Sequence, residues 1–174
     1  MRRPTAGRLA QQAAIGLAAG LLGGLAMNLY AEATKRAREG HGVQPPQKKT
    51  AASDDPAEKA GAMVYKAFVG HKPRRRIVKR RLGTAMHYVF SGLCGMAYTL
   101  SSEFVPAMRG GFGLLYGTLV WLVADEAVTP ALGLSKSPQE IPAADHLFAL
   151  GGHGVFGATL EAAARLLPSS THTS

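Results

Sequence analysis

The distribution of apolar and polar positions divides the chain into four apolar stretches with few charges, separated by polar segments. The apolar stretches lie at about 9–33, 82–104, 110–129 and 144–167. From Leu82 to Ser102 the chain holds no Asp, Glu, Lys or Arg, and a helix of this length spans the ~30 Å hydrocarbon core of a bilayer. The pattern therefore predicts an all-α fold, a polytopic membrane helical bundle of about four transmembrane helices plus one amphipathic loop helix.

Glycine spacing supports helices that approach each other closely. Gly16, Gly20 and Gly24 recur every four residues in the first stretch, and Gly113 and Gly117 repeat that spacing in the third. Glycine weakens soluble helices but allows membrane helices to bring their backbones together. The ladders predict helix–helix association, either within one chain or between copies in a homo-oligomer.

The polar segment between the first two stretches contains one further helix. Asp55-Pro56-Ala57-Glu58 is typical of a helix start, with an N-cap, a proline at the first position and the acid of a capping box. An apolar face follows at helical spacing, and Gly70 is a suitable stop. This face consists of Ala60, Met63, Val64, Ala67 and Phe68. We predict a short amphipathic helix of about 14 residues, which is about four turns.

These elements predict four regions along the chain. Residues 1–33 form an N-terminal transmembrane helix or uncleaved signal anchor, 34–81 a basic loop with the amphipathic helix, 82–167 a three-helix membrane core and 168–174 a tail. A cleavable signal peptide is the alternative for the first region, because Arg2 and Arg3 precede an apolar core that ends near Ala31–Ala33.

The distribution of charge predicts a membrane location. The net charge is +9, and residues 34–81 carry 14 of the 20 Lys and Arg residues. The chain has no recognisable nucleic-acid-binding module, so we expect no nucleic-acid partner. The run from His71 to Arg81 is either a solvated juxtamembrane segment or a site for anionic lipid headgroups. The positive-inside rule places this loop in the cytoplasm and both termini outside, in a multi-pass protein of the bacterial inner membrane.

Ionisable residues near the ends of the apolar stretches form the candidate site. In antiparallel neighbouring helices, Asp125 and Glu126 at the end of the third stretch lie at the same depth as histidines of the second and fourth. The predicted polar cluster comprises His87, Asp125, Glu126, Asp145, His146 and His153, with Glu103 and Glu161 as secondary candidates nearer the other end.

Three interpretations of this cluster remain open. It is structural if the side chains only satisfy one another by hydrogen bonds between helices. It is proton- or ion-linked if it exploits histidine titration near neutral pH and shifted carboxylates. It holds a divalent metal or haem if His87 and His153 act as ligands. No catalytic or nucleotide-binding motif is present, so we expect no enzyme and predict no firm cofactor.

The motifs around these residues resemble the YagU family of small bacterial inner-membrane proteins of unknown biochemical function. The resemblance is carried by HYVFSGLCGMAYTLSSEFVP, RGGFGLLYG, TPALGLSKSP and GGHGVFGATLE, within about residues 83–165. It implies a multi-span helical membrane protein with a role in acid or envelope stress. The chain departs from the expected pattern at Asp125, where a histidine would be expected, and in its strongly basic 34–81 loop.

Overall fold

The structure, a computed structural model, describes residues 5–40 and 55–167. These residues form the helices α1 (Ala6–Gly40), α2 (Pro56–Val69), α3 (Arg76–Ser102), α4 (Leu114–Val120), a π-helix (Trp121–Val128), α5 (Thr129–Ala131) and α6 (Ala143–Leu166), with short 3₁₀ turns at Pro106–Arg109 and Pro138–Glu140. The described residues contain no strand, so the all-α prediction is confirmed. The predicted 168–174 tail, Arg2 and Arg3 lie outside the described residues.

Only one helix in the described ranges is long and apolar enough to cross a membrane by itself. It is α1, over Ala6–Ala37, and a buried core helix or a signal sequence can have the same length and composition. The prediction of four spans is therefore not confirmed. The other apolar stretches are less uniform: α3 begins with basic residues, the third stretch is divided among α4, the π-helix and α5, and α6 has charged residues at both ends.

Two helices extend into the region predicted to be loop. The first helix continues seven residues beyond Ala33 to Gly40, and α3 begins at Arg76 rather than Leu82. Lys and Arg are good helix formers, so the basic run after Arg76 continues the apolar helix without a break. The last predicted segment matches α6 within one residue at each end.

The amphipathic helix α2 forms with the predicted ends but with an unexpected orientation. Asp55 is the N-cap, Pro56 occupies the first position and Gly70 ends the helix with φ +83°. The Asp55 carboxylate accepts from the Ala57 N–H at 2.8 Å, so the capping box to Glu58 does not form as predicted. The helix contacts α3 through Gly61, which lies against Leu82, and the predicted apolar face points away from the bundle, with Phe68 88% exposed.

Glycines bring α1 and α3 into backbone contact, as the first ladder predicts. The two helices are antiparallel, and Gly16 and Gly20 lie directly against Gly95. A Cβ on Gly95 would overlap the carbonyl oxygen of Gly16. Thr99 uses this proximity, because its hydroxyl donates to the Gln12 carbonyl at 2.7 Å and so ties α3 to α1.

A second glycine contact joins α4 to α6. A Cβ on Gly113 or Gly117 would overlap the backbone carbonyl of Gly157 or His153, respectively. The predicted antiparallel packing of the third and fourth segments is therefore present. Helix α6 also packs on α1, where Tyr30 stacks on Phe148 with ring centroids 5.4 Å apart. Helices α1 and α6 thus connect the two close contacts into one bundle.

The α1–α3 contact predicts that Gly95→Ala destabilises the bundle. The added methyl group must push α1 away from α3, and overpacking of this kind costs about 1–3 kcal/mol. The measurement is the unfolding midpoint followed by circular dichroism. Gly7→Ala is the matched control, because Gly7 in α1 has open space around it and its replacement should leave the midpoint unchanged or raise it. Equal midpoints for Gly95→Ala and the unmodified chain would contradict the proposed role of this contact.

Candidate functional site

The adjacent acids Asp125 and Glu126 lie in the π-helix that follows α4. The π-helix runs from Trp121 to Val128, and such segments are rare and frequent at functional sites. Because α4 and α6 are antiparallel, the π-helix faces the N-terminal half of α6. His146 and His153 are seven residues apart on α6 and therefore share one face of that helix. Two acids on one helix consequently meet two histidines on the other.

Asp125 pairs with His153. The His153 Nδ1 atom lies 3.8 Å from the Asp125 carboxylate and 3.0 Å from the Ala149 carbonyl, to which its N–H donates. His153 is buried, whereas the Asp125 side chain is 40% exposed. This geometry makes Asp125 the more exposed member of the pair and His153 the interior member.

Glu126 pairs with His146 in an arrangement that favours the charged imidazole. The His146 Nδ1 atom lies 2.6 Å from the Glu126 carboxylate, and Nε2 lies 3.0 Å from the Pro138 carbonyl. Both partners are acceptors, so both ring nitrogens must carry hydrogen to satisfy them, which only the imidazolium form does. The hydrogen bond to Glu126, aided by the Pro138 carbonyl, raises the pKa of His146 above its usual value.

The remaining predicted members do not join these two pairs. His87 Nε2 donates to the Gly24 carbonyl of α1 at 3.2 Å, and in the described part of the chain no hydrogen bond or ion pair links His87 to Asp125 or His153. Asp145 lies in the first turn of α6, where a carboxylate is favoured by the helix dipole. The predicted single cluster is therefore two acid–histidine pairs, with His87 and Asp145 held elsewhere.

Glu161 forms a separate buried network at the other end of the bundle. Its side chain is fully buried, and it accepts a hydrogen bond from the Tyr98 hydroxyl and one from Arg165 at 2.6 Å. Arg109 lies 3.7 Å away. The Arg165 guanidinium also lies over the Phe112 ring, 5.0 Å from its centroid. Two partly exposed cations therefore neutralise one buried carboxylate, whose isolation would cost several kcal/mol.

The sequence indicates only part of this network around Glu161. The spacing of Glu161 and Arg165 by four residues indicates an ion pair within one helix, whereas the contact with Tyr98 comes from another helix. Glu103, the other secondary candidate, pairs with Arg8 at 2.8 Å and connects the end of α3 to the start of α1. No sequence signal identifies Tyr98 or Arg8 as partners, because both contacts cross between helices far apart in the chain.

The described residues offer no cluster of metal ligands. No group of three or more His, Cys, Asp or Glu side chains that could hold a metal ion occurs within residues 5–40 and 55–167. His87 and His153 each use one ring N–H to donate a hydrogen bond to a backbone carbonyl. The metal- or haem-binding interpretation stays a prediction that these observations do not support.

The second half of the chain matches the profile of a known family. The profile of a family described as "Protein of unknown function (DUF1440)" matches residues 76–162, which is half of the chain. No curated protein and no solved structure matches the chain. The matched region begins with α3 and ends within α6, so it contains both acid–histidine pairs, Tyr98 and Glu161.

The His146–Glu126 pair predicts a pH-dependent contribution to stability. Because the pKa of His146 is raised on folding, the pair stabilises the fold below the ordinary histidine pKa of about 6.5, and this contribution is lost as the pH rises through the folded value. His146→Gln should therefore lower the unfolding midpoint more at pH 5.5 than at pH 9.

The matched control for this prediction is His71→Gln, since His71 is exposed and its replacement should change the midpoint little. A His146→Gln effect of the same size at both pH values would contradict the charged pair.

Proposed function

We propose that this chain, which belongs to the DUF1440 family of proteins of unknown function, is an integral membrane protein of the bacterial inner membrane with a pH-linked role. In this proposal the apolar parts of α1 and α3, the unit formed by α4, the π-helix and α5, and α6 from Leu147 onward lie in lipid. The resemblance to the YagU family remains a narrower prediction within this proposal.

The observation that carries the membrane proposal is the reversed placement of large apolar side chains. In the described residues, twenty-five large apolar side chains are exposed, whereas seven apolar residues are buried. The exposed set includes Leu17, Leu21 and Leu25 of α1 and Leu115, Leu119 and Leu122 along α4 and the π-helix. Soluble monomers rarely expose contiguous apolar surface on this scale. Lipid chains are a suitable environment for it.

The interior supports the same proposal. The fully buried or nearly buried positions include Ser91, Thr99 and Glu161, and the helices meet through glycine. Between helices in lipid, association depends on close backbone packing and interhelical hydrogen bonds rather than on burial of large apolar groups. The ion pairs of Glu161 and the acid–histidine pairs also face neighbouring helices, as ionisable groups in a membrane normally do.

Orientation and lipid partner follow from the basic segment. The run from His71 to Arg81 includes the start of α3, and we propose that it lies at the cytoplasmic surface and contacts anionic lipid headgroups. The exposed apolar face of α2, with Met63, Val64 and Phe68, lies beside this basic run. Exposed apolar side chains next to cations are typical of a helix that rests on an anionic membrane surface.

The pH-linked role is proposed from the acid–histidine pairs. Each pair joins the π-helix to α6, so a change in protonation alters a contact between two helices rather than an isolated side chain. Histidine changes its charge in the range that separates neutral from mildly acidic surroundings. The pairs are therefore suited to a response to acid or envelope stress.

The membrane proposal is tested by extraction and labelling. The chain should stay in the membrane pellet after alkaline carbonate treatment. Cys94 is the chain's single cysteine, so Cys94→Ala gives a cysteine-free chain. Into this chain one new cysteine is introduced at a time, either at Thr5 or at Ser135, which lies beyond the end of the π-helix. A membrane-impermeant maleimide applied to spheroplasts should label Thr5→Cys but not Ser135→Cys.

Release of the chain by carbonate would contradict the membrane proposal. Equal labelling of the two cysteine variants in intact spheroplasts would contradict the proposed orientation. Labelling after detergent lysis controls for accessibility of each site.

The pH-linked role is tested by growth. A deletion strain should grow more slowly than its parent after a shift to acidic medium, and the unmodified chain should restore growth. Asp125→Asn and His146→Gln should fail to restore growth, whereas the exposed control His71→Gln should succeed, at equal amounts in the membrane fraction. Full restoration by both pair variants, or a deletion strain that grows normally, would contradict the role.

A further inference from the structure

A cleft of about 330 Å³ opens where α1, α2 and α3 meet, away from the acid–histidine pairs. Its lining combines two carboxylates, one guanidinium and several neutral polar groups. The lining residues are Asn28, Asp55, Ala57, Glu58, Arg80, Gly83, Thr84 and His87. A cleft of this volume lies at the small end of the range for ligand sites.

Glu58 lines this cleft and carries an unsatisfied acceptor. Its Oε2 atom is buried and has no hydrogen-bond partner among the described residues. Gly83 is responsible for this position, because a Cβ there would press on the Glu58 side chain and on its backbone. A buried carboxylate oxygen without a partner is costly. A ligand that donates hydrogen bonds and carries positive charge would remove that cost.

Arg80 supplies the opposite charge on the α3 side of the cleft. Its guanidinium makes no ion pair with a carboxylate within the described ranges, although Asp55 and Glu58 line the same cleft. Asp55 already accepts from the Ala57 N–H as the α2 cap. Glu58 and Arg80 are therefore two separate charged positions, one for a cation and one for an anion.

The neutral lining groups provide further acceptors. His87 Nε2 donates to the Gly24 carbonyl, so Nδ1 is the ring atom that remains for a ligand. The Asn28 amide nitrogen donates to the Tyr88 hydroxyl at 3.2 Å, which leaves the amide oxygen as an acceptor. A primary ammonium group, with three N–H donors, matches such a set of acceptors, whereas a quaternary ammonium has no N–H to donate.

We propose that this cleft binds a small zwitterion that carries a primary ammonium group and an oxyanion. The ammonium pairs with Glu58, and the oxyanion pairs with Arg80. This chemistry has two sources, the phosphoethanolamine headgroup of a membrane phospholipid and a free amino acid. The inference goes beyond the pH-linked role, because it rests on the contacts among α1, α2 and α3 and uses neither acid–histidine pair.

The test measures binding to the full chain, purified in detergent, by isothermal titration calorimetry. The probes are glycerophosphoethanolamine for the headgroup, glycine for the free amino acid and glycerophosphocholine as the analogue without an N–H. We expect one of the first two to bind and the choline analogue to bind at least tenfold more weakly. Preference for glycerophosphoethanolamine identifies the lipid headgroup as the source, and preference for glycine identifies a free amino acid.

Variants connect the binding to the cleft. Glu58→Gln and Arg80→Gln should each weaken binding of the preferred zwitterion at least tenfold. Glu32→Gln and Arg36→Gln are the matched controls, because each removes the same charge from a residue outside both the cleft lining and the basic run, and both should bind as the unmodified chain does. Arg80 is exposed, so its replacement tests the site even if Glu58→Gln unfolds the α2–α3 contact.

Absence of binding by both zwitterions would overturn the proposal and leave the cleft as a water-filled space. Binding that is unchanged in Arg80→Gln would overturn it as well, because the oxyanion would then have no partner in the cleft. Neither outcome bears on carbonate extraction or acid growth, so failure of this inference is distinguishable from failure of the proposed function.

Discussion

Backbone contact through glycine is the constraint on which the rest of the bundle depends. Gly16 and Gly20 meet Gly95 between α1 and α3, and Gly113 and Gly117 meet α6 in the same way. Side chains at these positions would separate the helices, and the hydrogen bonds that cross between them would be lost. Thr99 reaches the Gln12 carbonyl because the backbones of α1 and α3 lie this close, and Tyr98 of α3 reaches Glu161 of α6 across the interior.

The same constraint accounts for the reversed polarity of the fold. Where helices touch through glycine, little room remains between them for leucine, isoleucine or phenylalanine, so most large apolar side chains lie on the outside. Beside a small apolar core that includes Tyr98, Phe156 and Leu160, the interior holds buried polar side chains such as Thr99 and Glu161. Groups of this kind stabilise the interior by hydrogen bonds and ion pairs. A bundle built in this way is suited to surroundings that are themselves apolar.

The candidate site shows how far the sequence could be interpreted. The adjacent acids after an apolar run and the two histidines seven residues apart predict a cluster, and Asp125 with His153 and Glu126 with His146 do meet. The prediction of one cluster including His87 differs from the structure. The depth of a residue along a helix can be estimated from sequence, because the rise per residue is constant. The direction in which its side chain points around the helix axis cannot be estimated where a π-helix changes the number of residues per turn.

The sequence by itself determined the presence of the helices, the ends of α2 and α6 and the glycine faces, because these depend on local propensity, capping and spacing. Asp55 and Gly70 mark the ends of α2 for this reason. Only the tertiary structure decided which partners meet: Tyr98 with Glu161, Arg8 with Glu103, and Glu58 in a cleft with Arg80. These contacts join residues up to about a hundred positions apart, and their formation depends on helix packing that no local pattern records.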